Sequence, residues 1–196
     1  MRIGIDIDDT ALITVNSMIK YADKYDIEDL GRTGTNGNLG LIKDRYYLKV
    51  LYGWDDETKF KFFNKYYKNV LEECIPMPDA PEIISQLKKD GHEIYFVTAR
   101  LSNIPNCDVL KITNETFKKY NIPYDELIVS VKDKVTYAKE HNIDLFIEDS
   151  FETCVELAKA GIKALLVTTK MNESLYHSSV VRVNTWQEIY NKIKNS

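Results

Sequence analysis

Hydrophobic positions along the chain follow two rhythms. At the N-terminus Ile3, Ile5 and Ile7 alternate with smaller or charged neighbours, so residues 2–7 are read as a first strand. Four later segments have the short, apolar, bounded character of buried strands: 93–98 (EIYFVT), 126–130 (ELIVS), 144–149 (DLFIED) and 163–168 (KALLVT). A sixth is read at 180–183 (VVRV). Between them the period lengthens to that of a helix. Asp79-Ala80-Pro81 signals a helix start, with Asp79 as its cap, and Gly91 after Lys88-Lys89 signals a stop. Residues 152–160 and 186–193 carry further amphipathic spacing. Strands alternating with helices predict an α/β fold whose central parallel sheet is covered on both faces.

Connection lengths sharpen this picture. The strands starting at 93, 126, 144 and 163 follow one another at ordinary βα intervals. From the end of the first strand to residue 93 runs a much longer connection, although a crossover needs only about a dozen residues. The surplus predicts an inserted helical cap over residues 15–78, with residues 1–14 and 79–196 forming the core. Within the insertion, 41–52 reads as one helix, and Phe60, Phe63, Tyr67, Val70, Leu71 and Cys74 lie at helical spacing on another. Burial statistics favour cap core over ligand pocket for that aromatic stripe. Residues 31–40 (GRTGTNGNLG) hold four of the eight glycines and read as a flexible loop.

Composition removes several alternatives. In 196 residues, 44% are hydrophobic and 29% charged, which excludes a disordered chain, a collagen-like fibre and a coiled coil. The net charge of −4 offers no basic stripe for duplex nucleic acid and no polybasic membrane anchor. Cys74, Cys107 and Cys154 form no CxxC pair, so they suggest neither a disulfide framework nor a zinc site. No apolar run has the length of a signal peptide or a membrane span, and a cytoplasmic protein is expected.

The chemistry begins where the first strand ends, at Asp6-Ile7-Asp8-Asp9-Thr10. Residues two apart in an extended segment project to one side, so Asp6 and Asp8 share a face at the carboxyl edge of the sheet. Open α/β sheets bind ligands at that edge. The paired carboxylates repel, and hard oxygen ligands of this kind suit Mg²⁺. Thr98 ends the second long strand, where its hydroxyl and the Ala99 N–H can hold a phosphate oxygen. Lys134 opens the helix before the strand that ends in Glu148-Asp149, which brings a cation and more carboxylates to the same rim. Lys132 competes with Lys134 for that role, and Asp133-Lys134 better matches the helix start. Asp9 reads as a cap or as a residue that supports the site from behind its ligands, and Arg100 reads equally as a phosphate ligand or a structural ion pair. His92, His141 and His177 have no metal-ligand spacing.

This constellation resembles the haloacid dehalogenase (HAD) superfamily of phosphotransferases over the whole core. DIDDT matches motif one, Thr98 motif two, Lys134 motif three and Glu148-Asp149 motif four, with Glu-Asp in place of the commoner Asp-Asp. The insertion after strand one resembles that superfamily's first-position cap on a Rossmannoid three-layer sandwich. The size, FVTAR and IEDS are similar to the bacterial 5'(3')-deoxyribonucleotidase family. The resemblance implies Asp6 as nucleophile and Asp8 as acid–base. It implies Mg²⁺ on Asp6, Asp149 and the Asp8 carbonyl, with phosphate held by Thr98, Ala99 and Lys134. The implied activity is hydrolysis of a small phosphorylated substrate, a nucleoside monophosphate first, with Tyr46, Trp54, Phe60 and Tyr67 as candidates to stack on a base. A phosphatase for a sugar phosphate or other small phosphoester, and a silent phosphate-binding regulator, are the alternatives. Monomer and homo-oligomer are equally compatible with the sequence.

Overall fold

The computed structural model describes residues 1–35 and 47–195. Six strands among them form one parallel sheet: β1 (Arg2–Ile5), β4 (Glu93–Val97), β5 (Glu126–Ile128), β6 (Leu145–Glu148), β7 (Lys163–Val167) and β8 (Val181–Val183), in the order β5-β4-β1-β6-β7-β8. β1 lies in the middle, with Ile3 opposite Ile94 of β4 and Leu145 of β6. The chain builds outward from β1 first on one side and then on the other. The carboxyl ends of β1, β4 and β6 therefore meet where the winding reverses, the place at which such sheets bind ligands.

Strand alternation divides the core into two layers. Ile3, Ile5, Phe96, Ile147 and Leu165 face α4 (Ala80–Lys89), α8 (Trp186–Lys194) and Phe117 of α5 (Val109–Lys119). Val97, Phe146, Ala164 and Leu166 face α6 (Lys134–Glu140) and α7 (Phe151–Lys159). This is a helix–sheet–helix sandwich. Gly4 belongs to the second face, and the reason for glycine there is close packing. A Cβ at this position would stand 2.5 Å from the Phe146 ring. Asp6, with the same parity, projects toward α6.

A short antiparallel pair, β2 (Leu12–Ile13) with β3 (Ile75–Pro76), joins the strands by which the chain enters and leaves the long connection. Sequence periodicity does not register elements this short. Between β2 and β3 lie α1 (Val15–Glu28), α2 (Tyr47–Tyr52) and α3 (Asp56–Glu72). Asp55 caps α3 by accepting from the Thr58 N–H at 2.7 Å. The cap of α1 comes from further away: Asp9, at φ 57°, accepts from the N–H groups of Thr14 at 2.9 Å and Val15 at 3.0 Å. Asp9 is thus a cap, as its sequence position indicates.

Met18, Ala22, Tyr25, Phe62, Tyr66 and Val70 pack into a second apolar cluster that continues into Ile104 and Ile112. Two sequence readings are corrected here. The buried face of α3 carries Phe62, whereas Phe60 is 54% exposed, because the side of a helix that packs is set by the partner helix. Asp79 makes no capping bond and adopts φ 62°, leaving Pro81 as the working part of that start signal. Of the loop read at 31–40, residues 36–40 lie outside the described residues; in its described part Asp26 accepts from the Gly34 N–H at 3.0 Å and Asp23 from the Thr35 N–H at 2.7 Å. Of the helix read at 41–52, residues 41–46 lie outside the described residues, as does Tyr46.

Candidate active site

At the carboxyl edge of the sheet lies a cleft of about 710 Å³ whose walls include Asp6, Asp8, Thr98, Ala99, Lys134 and Asp149. All six residues singled out from the sequence are brought together. A larger depression of about 980 Å³ lies by Gly161, Ile162 and Val181 and contains none of them.

Lys134 is the centre of the charge arrangement. It begins α6, where Asp133 caps by accepting from the Thr136 N–H at 2.9 Å, and is buried with its ammonium between Asp6 and Glu148. Nζ donates to Asp6 Oδ1 and, at 2.6 Å, to Glu148 Oε2. Burial disfavours the ammonium, but the two carboxylates outweigh this and raise its pKa. Lys132 also lines the cleft but is exposed, and of the two lysines it is Lys134 that bonds Asp6. The other oxygen of Glu148 accepts from the N–H groups of Asp149 at 3.1 Å and Ser150 at 3.0 Å. Glu148 therefore orients both the lysine and the turn that presents Asp149.

Asp6, Glu148 and Asp149 each place a carboxylate oxygen within 4.8 Å of the others. Burial and the neighbouring acids drive the Asp6 carboxyl up to about 7 despite Lys134. Burial, Glu148, Asp6 and Asp9 hold Asp149 well above the usual carboxylate range. Six carboxylate residues (Asp6, Asp8, Asp9, Glu148, Asp149 and Glu152) line the cleft against three cationic ones, Arg100, Lys132 and Lys134. Crowded hard oxygens carrying surplus negative charge are the donor set a divalent cation requires.

Asp8 lives in different surroundings. Burial favours its neutral form, but Arg100 and Thr14 prevail and lower its pKa. Arg100 Nε lies 3.1 Å from both Asp8 oxygens, and Thr14 Oγ1 donates to Oδ1 at 2.6 Å. Arg100 is itself buried and anchored by a bond from Nη1 to Thr113 Oγ1 at 2.8 Å. The ion-pair reading of Arg100 is the one realised. Two carboxylates of one motif are thereby placed in opposed environments, the arrangement that lets a pair divide two chemical roles. Thr98 is buried, its Oγ1 accepting from the Arg100 N–H at 3.2 Å, and Ala99 is exposed at the cleft.

The cleft lining also includes Met18 of α1, Phe63 and Tyr67 of α3, and Met171 and Leu175 from the loop after β7. Tyr67 Oη accepts from the Leu101 N–H at 3.2 Å, tying α3 to the segment that follows Thr98. Trp54 is packed inside the second cluster, stacked on Tyr52 with ring centroids 4.6 Å apart and donating to Asp26 at 2.9 Å. Neither Trp54 nor Phe60 reaches the cleft. Phe63 does, as one member of the predicted stripe.

Sheet order, the acid–lysine cluster at the strand ends and the helices between β2 and β3 are together the frame of a haloacid dehalogenase-like fold. No family model matches the chain. A nucleotidase of Clostridium acetobutylicum is 33% identical over 147 residues, spanning 74% of this chain and 73% of its own length. The Bacillus subtilis protein YqfW is 29% identical over 198 residues, covering 100% of this chain and 95% of itself. Among solved structures, a haloacid dehalogenase-like hydrolase from Streptococcus pneumoniae superposes with a TM-score of 0.68 at 16% identity, covering 98% of this chain and 97% of its own. The chain belongs to the family of nucleotidase-like phosphatases that the Clostridium acetobutylicum protein represents, and it is an enzyme of that class on a haloacid dehalogenase-like fold.

Proposed function

We propose that the chain is a Mg²⁺-dependent phosphomonoesterase that works through an aspartyl-phosphate on Asp6, with (deoxy)nucleoside monophosphates as substrates. The observation that carries this reading is the placement of Asp6. It stands at the meeting point of Lys134 and two further carboxylates, with Asp8 held apart by Arg100. An Asp6 oxygen forms the bond to phosphorus as the bond from phosphorus to the leaving oxygen breaks. Asp8 hands its proton to that oxygen, then takes one from the water that attacks the aspartyl-phosphate. Lys134, the Thr98 hydroxyl and the Ala99 N–H hold the remaining phosphate oxygens. Asp6, Asp149 and the Asp8 carbonyl would hold Mg²⁺, which when bound offsets the repulsion between carboxylate and phosphate.

Residues 15–78 act as a cap in this reading, with Phe63 and Tyr67 facing the leaving group and β2–β3 at its base. Retention of both Asp6 and Asp8 speaks against a silent phosphate-binding regulator, which has no use for a proton donor beside a nucleophile. The three cysteines are free and buried, which supports a reducing, cytoplasmic setting. No helix among the described residues is long and apolar enough to cross a membrane.

A panel of nucleoside monophosphates and sugar phosphates, assayed with Mg²⁺ and with a chelator, tests the proposal. Preference for nucleotides that disappears with the chelator supports it. Full activity in the chelator removes the metal, and preference for sugar phosphates removes the nucleotide.

A further inference from the structure

The turn that presents Asp149 is held from behind by a side chain that no step of the reaction uses. Asn172 lies in the loop between β7 and β8 and is 2% exposed. Its Nδ2 donates to the carbonyl of Asp149 at 2.8 Å and to that of Val167 at 2.7 Å. Its Oδ1 accepts from Arg182 Nη1 at 2.6 Å and from the Thr169 N–H at 3.2 Å. Both donors and both acceptor positions of the amide are filled, which fixes its orientation as well as its place.

The location gives this network its meaning. Ladder pairing between β6 and β7 reaches Glu148 and Leu166 and goes no further. Asp149 is the next residue, and the Asn172 amide continues the link across the gap to Val167, the last residue of β7. Asp149 needs such a tether, because Glu148, Asp6 and Asp9 all repel its carboxylate. Arg182 secures Asn172 in turn, donating from Nη2 to the carbonyls of Asn172 at 3.0 Å and Leu175 at 2.6 Å.

We propose that Asn172 is a positioning residue for the divalent cation: it fixes the Asp149 peptide to the end of β7 and so keeps the Asp149 carboxylate facing Asp6. This rests on Asp149 as a metal ligand, as proposed above. Groups that orient metal ligands from outside the coordination sphere change metal affinity by about 10–100-fold when removed.

The test is Asn172→Asp, which keeps the shape and the acceptor for Arg182 but cannot donate to both carbonyls. Mg²⁺ alone is titrated into wild type and variant by calorimetry, and melting is followed in chelator to monitor the fold. Mg²⁺ binding weaker by about 10–100-fold, with metal-free melting little changed, is the expected result. The added carboxylate would by charge alone strengthen cation binding, so weakening reports lost positioning. Unchanged or tighter Mg²⁺ binding in a folded variant overturns the proposal. Should Asn172→Asp not fold, Arg182→Lys answers in its place: it loses the fork onto Asn172, and weaker binding supports the role while equal binding overturns it. A wild-type chain that binds no Mg²⁺ overturns the metal reading itself, and the positioning role with it.

Discussion

Arg100 and Asp8 form a forked ion pair across the cleft floor, with Nη2 2.8 Å and Nε 3.1 Å from Asp8 Oδ1. The guanidinium side chain is 1% exposed and the carboxylate 32%. In this state Asp8 is ionised, the form that accepts a proton from water. To donate one to a leaving group it must first acquire it, against the pull of Arg100. For alkyl phosphates, whose leaving oxygens need a proton, kcat/KM should therefore fall as pH rises above neutrality. Aryl phosphates should show a flatter profile. Parallel pH profiles for the two esters would contradict the acid–base role.

Asp8→Asn keeps the shape and the backbone carbonyl but removes the proton. Losses of about 10²–10⁴-fold are expected for alkyl esters, and smaller ones for aryl esters. Equal losses on both would count against Asp8 as acid, and a leaving-group series measures the difference directly.

Asp6→Asn should abolish turnover of every phosphate ester without harming the fold. In the metal-free protein Asp6 carries a burial penalty on its charge, so a neutral amide should melt no lower than wild type in chelator near pH 8. Near-normal turnover by Asp6→Asn would end its assignment as nucleophile.

The pH dependence of stability follows from the same cluster. The folded-state pKa of Asp6 is raised to about 7 and that of Asp149 is raised as well. An acid whose folded pKa lies above its unfolded value of about 4 adds stability that is complete below the unfolded pKa. It loses that stability as pH rises through the folded pKa. The share of metal-free stability that depends on Asp6 should thus decline between about pH 4 and pH 7, and the raised Asp149 acts in the same direction. Protons compete with cations for the same oxygens, so the rise in melting temperature on adding Mg²⁺ should grow across that interval. Melting scans with and without Mg²⁺ at several pH values check this, and a Mg²⁺ effect that shrinks toward pH 8 would refute it.

Trp54 and Phe63 should separate structure from selectivity. Trp54→Ala removes a buried ring from the second cluster and should cost ~3–5 kcal/mol, lowering turnover of all substrates alike. Phe63→Ala, at the cleft wall, should reduce nucleotide turnover while sparing a small aryl phosphate, with stacking worth ~1–3 kcal/mol per base. Uniform effects of Phe63→Ala on both substrates would remove it from the leaving-group wall.

Much of this architecture follows from local signals. The Ile3-Ile5-Ile7 alternation, the apolar runs of β4, β6 and β7, and the length of the connection before residue 93 are enough to imply a parallel sheet with an insertion. Asp6, Asp8, Thr98, Lys134 and Asp149 are recoverable for the same reason. In a parallel α/β sheet every strand end points to one edge, so position along the chain converts directly into position in space.

Other features depend on partners distant in sequence. Whether Phe60 or Phe62 turns inward was decided by where α1 lies against α3, since rotating a helix by one residue changes which side chains meet a neighbour. Arg100 was chosen for an ion pair by the carboxylate waiting 92 positions away at Asp8. Gly4 is legible only beside the Phe146 ring, which leaves no room for a Cβ. Asn172 looks like an ordinary turn asparagine until Asp149, Val167 and Arg182 surround it. Periodicity and strand-end position are properties of the chain itself. Side-chain pairing across elements is settled by packing, because a buried polar group takes whichever partner the assembled fold brings within reach.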